Sequence, residues 1–247
     1  MNSPTRRRLL LAAGALGMTP LARSREPGWS VQTGHLPPFV IAGPVRPAGA
    51  LFEVVQALLQ AVGEEPEIRV VPWKRAIVLA QEGPRTAVFP LSRLPERESS
   101  YRWLVQLYRE RYVFFTRHGS DFDIDHPEEM RTRRIAVIRG ASTEVALQRL
   151  GYQHLVEANE PRECLRYLQA GMADAVFGAQ AIVRYGLRDL PDRQAYLLSV
   201  PQMTMMSWLA GSHDFTDGDA SRLQEAMRVL RASGAYARIL ANYGLLP

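Results

Sequence analysis

The chain has 247 residues, 47% hydrophobic and 22% charged, so disorder, collagen-like repeats and coiled coils are poor descriptions of it. Its net charge is +5, but arginines within residues 1–24 carry most of this excess and leave 26 basic and 25 acidic residues elsewhere. Such a nearly neutral body lacks the basic surface of a nucleic-acid-binding protein. The single cysteine, Cys164, excludes an internal disulfide and a cysteine-based zinc site.

Residues 1–24 have the pattern of a secretory signal peptide. Three arginines at positions 6–8 precede an apolar run, 9–18, and the small residues Ala22 and Ser24 mark a cleavage site after Ser24. The run is too short to span a bilayer, which needs roughly 20 residues. Because Thr-Arg-Arg followed by leucines also resembles a twin-arginine export signal, the general secretory and twin-arginine routes both stay open. We expect a soluble protein exported to the periplasm.

In the mature chain, segments of alternating hydrophobicity interleave with segments of helical spacing, which indicates an α/β fold. The first unit is predicted as strand, helix, strand, helix and strand at residues 29–33, 51–62, 68–71, 73–81 and 86–91. Residues 104–116, rich in Tyr, Val and Phe, then predict a long extended connector.

A second α/β unit follows the connector. Strands and helices alternate at residues 134–138, 142–150, 155–157, 161–170, 175–177 and 180–185. Extended segments near 196–200 and 203–210 and helices at 219–232 and 236–242 complete the chain. Two similar halves joined by extended crossings predict two lobes with a ligand cleft between them. Lobe 1 is predicted to comprise residues 25–109 and 204–247, and lobe 2 residues 110–203.

Six segments, in this order, resemble segments of the family 3 bacterial extracellular solute-binding proteins. They are the turn 35–39, the Trp-containing segment 72–75, the Ser-to-Arg segment 91–97, the Gly-Ala-Ser-Thr loop within 138–144, the Leu-x-x-Gly-x-x-Asp-Ala turn 168–175, and the closing helix 234–240. The resemblance implies the two-lobed type 2 periplasmic-binding-protein fold, in which each lobe is a mixed sheet flanked by helices. It also implies ligand capture in the cleft between the lobes.

The first candidate site is an anion site around Arg97. This residue follows a strand and an irregular turn, and its planar, permanently charged guanidinium suits a carboxylate through two parallel hydrogen bonds. In the family the matching arginine holds the ligand's carboxylate, so the resemblance implies this role for Arg97. Ser92 offers a hydroxyl or backbone group to the same anion. The alternative is a surface arginine paired with Glu96 or Glu98.

The loop that opens the second unit supplies further candidates. Ala141 and Ser142 lie where a strand ends and a helix begins, and free amides at such a helix start favour an anion. Ser142 is therefore a candidate contact from lobe 2. The alternative is that Ser142 and Thr143 only cap the helix, and we expect capping in either case.

Two residues are candidates for the cleft wall. Trp73 matches a position that supplies an aromatic wall in the family, with core packing after Pro72 as the alternative. Leu36 stands where amino-acid-binding members often have tyrosine, which makes this wall aliphatic. His35, beside it, is expected to have a surface or supporting role.

The segment after Asp174 departs from the family pattern. Amino-acid-binding members commonly place an aspartate a few residues beyond this turn to hold the ligand's ammonium, but residues 175–188 contain no acid. Because a buried ammonium without a carboxylate is costly, a standard α-amino acid is disfavoured. A carboxylate without the amine, or an amine held by Gln180, fits better. Asp174 itself is expected to be structural.

These observations favour a monomeric solute-binding protein that delivers a small ligand to an ABC permease or a sensor in the membrane, without catalytic residues, metal or cofactor. One alternative is an enzyme on the same scaffold, resembling cyclohexadienyl dehydratases, although the carboxylate that they use after the Asp-Ala turn is missing. Another is a ligand-sensing partner of a signalling receptor. The chain has no Gly-x-Ser-x-Gly elbow, zinc-binding histidine pair or phosphate loop.

Overall fold

The computed structural model describes residues 28–188 and 190–247, so the expected signal peptide at residues 1–24 lies outside the described residues. The described strands are β1 (Ser30–Thr33), β2 (Ile68–Val70), β3 (Thr86–Ser92), β4 (Arg102–Arg117), β5 (Arg134–Ile138), β6 (His154–Ala158), β7 (Ala175–Ala179), β8 (Tyr196–Leu198) and β9 (Met203–Gly211). The described α-helices are α1 (Ala50–Ala61), α2 (Trp73–Glu82), α3 (Pro127–Met130), α4 (Ser142–Arg149), α5 (Pro161–Gln169), α6 (Gln180–Leu187), α7 (Asp217–Ala232) and α8 (Ala235–Asn242).

All the described strands join one mixed sheet in the order β2-β1-β3-β9-β4-β7-β5-β6, and β8 pairs with the end of β4. β1 runs parallel to β2 and β3 on one side, and β5 runs parallel to β6 and β7 on the other. β4 and β9 are antiparallel and connect the two sides. The fold is therefore the expected two-lobed α/β architecture, in which a mixed sheet is flanked by helices.

The long strand β4 links the two lobes. Its first part pairs with β9 from Arg102 to Tyr112, and its last part pairs with β7 and β8. Tyr112 marks the change, because it is opposite both Met203 of β9 and Ala179 of β7. The extended connector predicted at 104–116 is this strand. The lobe limits at 109/110 and 203/204 stay a prediction.

The core of the first lobe follows from the apolar spacing of α1. Its buried positions recur every three or four residues and lie on one face, so the helix packs against the sheet and against α7 and α8. Leu58 of α1 is fully buried, and burial of a leucine side chain contributes about 1.5–3 kcal/mol. None of the helices in the described part of the chain is long and apolar enough to cross a membrane.

Two features differ from the expectations. Residues 95–100, expected to be irregular, form a 3-10 helix (Pro95–Ser100), with proline near its start. The capping expected of Ser142 and Thr143 is wrong, because α4 begins at Ser142 with Ala141 at its N-cap, and no side chain accepts a hydrogen bond there. The first amides of α4 are thus left without a side-chain cap.

The strand ends position the cleft. Since β1 and β3 are parallel, their carboxyl ends lie at the same edge of the sheet, and the same holds for β5 and β7. The segments that follow these strands meet across the lobes, where open α/β sheets bind ligands. Ser92 ends β3, Ala141 follows β5, and Gln180 follows β7.

Candidate functional site

Six of the seven residues predicted to bind ligand surround one cavity of about 60 Å³ between the lobes. The sides of the cavity come from different parts of the chain. The predicted residues that line it are Leu36, Trp73, Ser92, Arg97, Ala141 and Ser142. Gln180 is not among its lining residues, although its neighbour Ala179 is. The binding roles themselves stay a prediction.

Arg97 is almost fully buried at this cavity, with 9% of its surface exposed. Its Nη1 donates to the Ser92 carbonyl at 3.4 Å, and its Nη2 donates to the Gly140 carbonyl at 2.7 Å. Burial lowers the pKa of the guanidinium because the charged form loses its hydration. The arginine therefore joins the 3-10 helix to the loop before α4, across the cleft.

The alternative of a surface Arg97 paired with a neighbouring acid is wrong. Glu98 pairs with Arg93, and Glu96 pairs with Arg149 at 3.2 Å, so both acids point to other arginines. Among the described residues, no carboxylate lies within ion-pair distance of Arg97, although the charges of Glu144 and Glu96 act on it from farther away. A buried guanidinium without a direct carboxylate partner favours the entry of an anion.

A chain of hydroxyl groups starts at the cavity and ends at a buried acid. Ser142 Oγ donates to Ser92 Oγ at 3.0 Å, which lies 3.1 Å from the Tyr112 hydroxyl. Tyr112 in turn donates to Glu110 Oε2 at 2.6 Å, so its oxygen accepts from Ser92. Because Ser142 follows β5 and Ser92 ends β3, this chain also crosses the cleft.

Glu110 is a cleft residue that the sequence analysis missed. It lies on β4, lines the cavity, and is 5% exposed. Burial raises the pKa of its carboxyl to about 7, although hydrogen bonds from Tyr112 and Ser207 act in the opposite direction. The signal that could have found it is the alternation of β4, which turns Tyr108, Glu110 and Tyr112 to the same face.

The start of α4 adds a second source of positive potential. Ala141, Ser142 and Thr143 line the cavity, and no side chain caps the first amides of the helix. The N-terminal end of a helix attracts negative charge through these amides and through the helix dipole. Glu144, in the first turn of α4, accepts a hydrogen bond from the Gly140 amide and offsets part of this potential. Arg97 and the amides of α4 approach the cavity from opposite lobes and favour the same kind of ligand.

Trp73 and Leu36 form the apolar wall of the cavity. Each is 6% exposed, and both belong to a buried cluster with Ile77, Leu91 and Tyr101. The two interpretations of Trp73, wall and core, are thus compatible, because one side chain does both. The wall beside Leu36 is aliphatic, as expected from the sequence.

Two other residues named in the sequence analysis lie outside this cavity. His35 Nδ1 accepts a hydrogen bond from the Ala42 amide at 3.0 Å, and burial lowers the pKa of the imidazole. Asp174 accepts hydrogen bonds from the amide and side chain of Arg134, at 2.8 and 2.6 Å, and thus ties β7 to β5. His35 closes its turn, and Asp174 is structural.

The model of the family described as bacterial extracellular solute-binding proteins, family 3, matches residues 31–245. No curated protein sequence matches the chain.

Solved structures share the fold at low sequence identity. The arginine-, lysine-, histidine-binding protein ArtJ from Geobacillus stearothermophilus is 17% identical, with a TM-score of 0.80 over 90% of this chain and 97% of that one. A histidine kinase sensor domain is 22% identical, with a TM-score of 0.79 over 89% and 98%. A substrate-binding protein of an amino acid ABC transporter is 19% identical, with a TM-score of 0.76 over 88% and 99%.

Proposed function

Because the chain belongs to the bacterial extracellular solute-binding proteins of family 3, we propose that it captures a small carboxylate-bearing solute around Arg97. The observation that carries this proposal is a buried guanidinium, without a carboxylate partner among the described residues, in a cavity lined by both lobes. A guanidinium binds a carboxylate through two parallel hydrogen bonds, and these charge-assisted bonds are roughly twice as strong as neutral ones.

Binding and closure are coupled in this proposal. Arg97 reaches Gly140 and Ser92 reaches Ser142 across the cleft, so the groups that hold the anion also hold the lobes together. A solute that contacts both lobes binds the closed arrangement better and shifts the equilibrium toward it. No step of this cycle requires catalysis, a metal or a cofactor.

We place this activity in the periplasm, after removal of residues 1–24, with delivery of the solute to an ABC permease. The substrate-binding protein of an amino acid ABC transporter supports this role by its fold. A ligand-sensing partner of a signalling receptor is the second candidate, because a histidine kinase sensor domain has the same fold.

The test is a thermal-shift screen of the protein without residues 1–24 against carboxylates, amino acids and amines. A ligand at 100 times its Kd should add about 2.7 kcal/mol to the free energy of unfolding. Arg97→Ala should abolish the response to carboxylates, whereas Arg93→Ala, which removes an exposed arginine paired with Glu98, should keep it. A full response from Arg97→Ala would refute this anion site. Turnover of prephenate-like substrates would support the enzyme instead.

A further inference from the structure

A second and larger cavity, of about 510 Å³, adjoins the cavity at Arg97. Its volume is within the range of small-molecule sites, about 300–1,000 Å³. It lies between the turn after β1 and helices α5 and α6, so both lobes line it. Most of its lining is apolar and includes Ile41, Phe115, Leu165, Val176, Val183 and Leu187.

The two cavities are neighbours and share part of their lining. Ile138, Phe177, Gly178, Ala179 and Ile182 line both of them. A Cβ atom placed on Gly178 would have Cγ2 of Val183 as its nearest described neighbour, at 3.7 Å, so no side chain crowds this point. The two cavities are therefore adjacent across Gly178, where the shared wall carries no side chain.

The apolar face of α6 is incompletely covered. None of the residues of α6, all of which the structure describes, is buried, although Ile182, Val183 and Leu187 are apolar. These side chains are half-buried and border the larger cavity. Apolar surface gains stability when it is removed from water, by about 25 cal/mol per Å². An apolar solute would supply that cover.

The charged residues around the two cavities favour a solute with a negative charge. Arg162 is the one charged side chain among the described residues that line the larger cavity, and no described carboxylate lines it. Glu110, the carboxylate at the smaller cavity, is already hydrogen-bonded to Tyr112. An ammonium group would thus lack a free counter-charge on these described walls, whereas a carboxylate has Arg97.

We propose that the solute is an apolar monocarboxylate, whose carboxylate binds Arg97 and whose hydrocarbon chain or ring occupies the larger cavity. This inference rests on the proposed function and adds the chemical class of the solute. It also explains why β7 ends in Gly178 and Ala179 instead of an acid, since an acid there would repel the carboxylate and fill the space between the cavities.

Isothermal titration with butanoate, hexanoate and octanoate tests the inference on the unmodified mature protein. Each added methylene should lower the Kd about fourfold, which corresponds to about 0.8 kcal/mol per buried CH₂. Hexanoate should bind at least tenfold more tightly than 2-aminohexanoate, which differs by the α-ammonium group.

Val183→Trp provides the matched variant, because it fills the larger cavity from α6 without touching Arg97. It should weaken octanoate binding at least tenfold and leave butanoate within twofold. Val229→Trp, at an exposed position of α7, is the control and should change neither.

The two proposals fail in different ways. Carboxylate binding that depends on Arg97, but has the same Kd for all three chain lengths in the unmodified protein, would overturn the apolar-solute inference and leave the proposed function intact. Preference for 2-aminohexanoate over hexanoate would overturn it too. Absence of binding by any carboxylate would refute the proposed function, and the inference with it.

Discussion

Glu110→Gln should remove a pH dependence of stability that arises from one buried carboxyl. In the folded protein burial raises the pKa of Glu110 to about 7, whereas its ordinary value is 4.5. The folded state therefore binds this proton more tightly than the unfolded state, and the contribution to stability is fully present below pH 4.5. It is lost as the pH rises through 7.

The magnitude follows from the difference between the two pKa values. At about 1.36 kcal/mol per unit, the raised pKa corresponds to roughly 3 kcal/mol, most of which falls between pH 5 and pH 8. Glutamine is nearly isosteric, accepts the Tyr112 hydrogen bond, and does not ionise. As the pH rises from 5 to 8, the free energy of unfolding of the variant should therefore increase by about 2 to 3 kcal/mol relative to that of the unmodified protein.

Urea denaturation of both proteins at pH 5 and pH 8 measures this change. The contributions of other titrating groups cancel in the difference between the two proteins. Glu82→Gln, at an exposed position of α2, should show no such gain. A Glu110→Gln difference that stays constant within about 0.5 kcal/mol from pH 5 to pH 8 would refute the reasoning.

Three further substitutions test other parts of the account. Arg149→Ala removes the exposed pair with Glu96 across the cleft, and since exposed pairs contribute about 0–1 kcal/mol, the Kd of a bound carboxylate in isothermal titration should rise less than about fivefold. Leu58→Ala, in the core at α1, should cost about 2–5 kcal/mol in urea denaturation. Asp174→Asn should lower stability by about 1 kcal/mol at pH 7. Because hydrogen bonds from Arg134 lower the pKa of Asp174, that stabilisation is present above the ordinary value of 3.8 and is lost as the pH falls below it, so the difference should shrink in acid urea titrations.

The order of the helices and strands was predictable because it depends on local properties of the sequence, namely the spacing of hydrophobic residues and the residues that end each element. Strands such as β5 and helices such as α5 lie within a residue or two of their predicted ends. The 3-10 helix Pro95–Ser100 was not predictable, because its polar residues have no periodic apolar pattern.

The positions of Arg97 and Ser142 at the cleft were predictable, because each follows a strand end, whereas their binding roles stay a prediction. Glu110 was missed because Arg109 and Arg111 flank it, and such a charged triplet is typical of a solvated strand. The alternation of β4 separates the acid from the arginines, and the pairing of β4 with β7 and β9 decides that the face of the acid is the buried one. The larger cavity could not be predicted either, since its walls come from segments far apart in the sequence.

The central claim is that Arg97 holds the carboxylate of a solute between the lobes. A crystal structure with the strongest carboxylate from the screen tests it most directly. We expect both carboxylate oxygens within about 2.7–2.9 Å of guanidinium nitrogens of Arg97, with the remainder of the solute directed past Gly178. A carboxylate bound elsewhere, with none of its oxygens within hydrogen-bond distance of Arg97, would contradict the account.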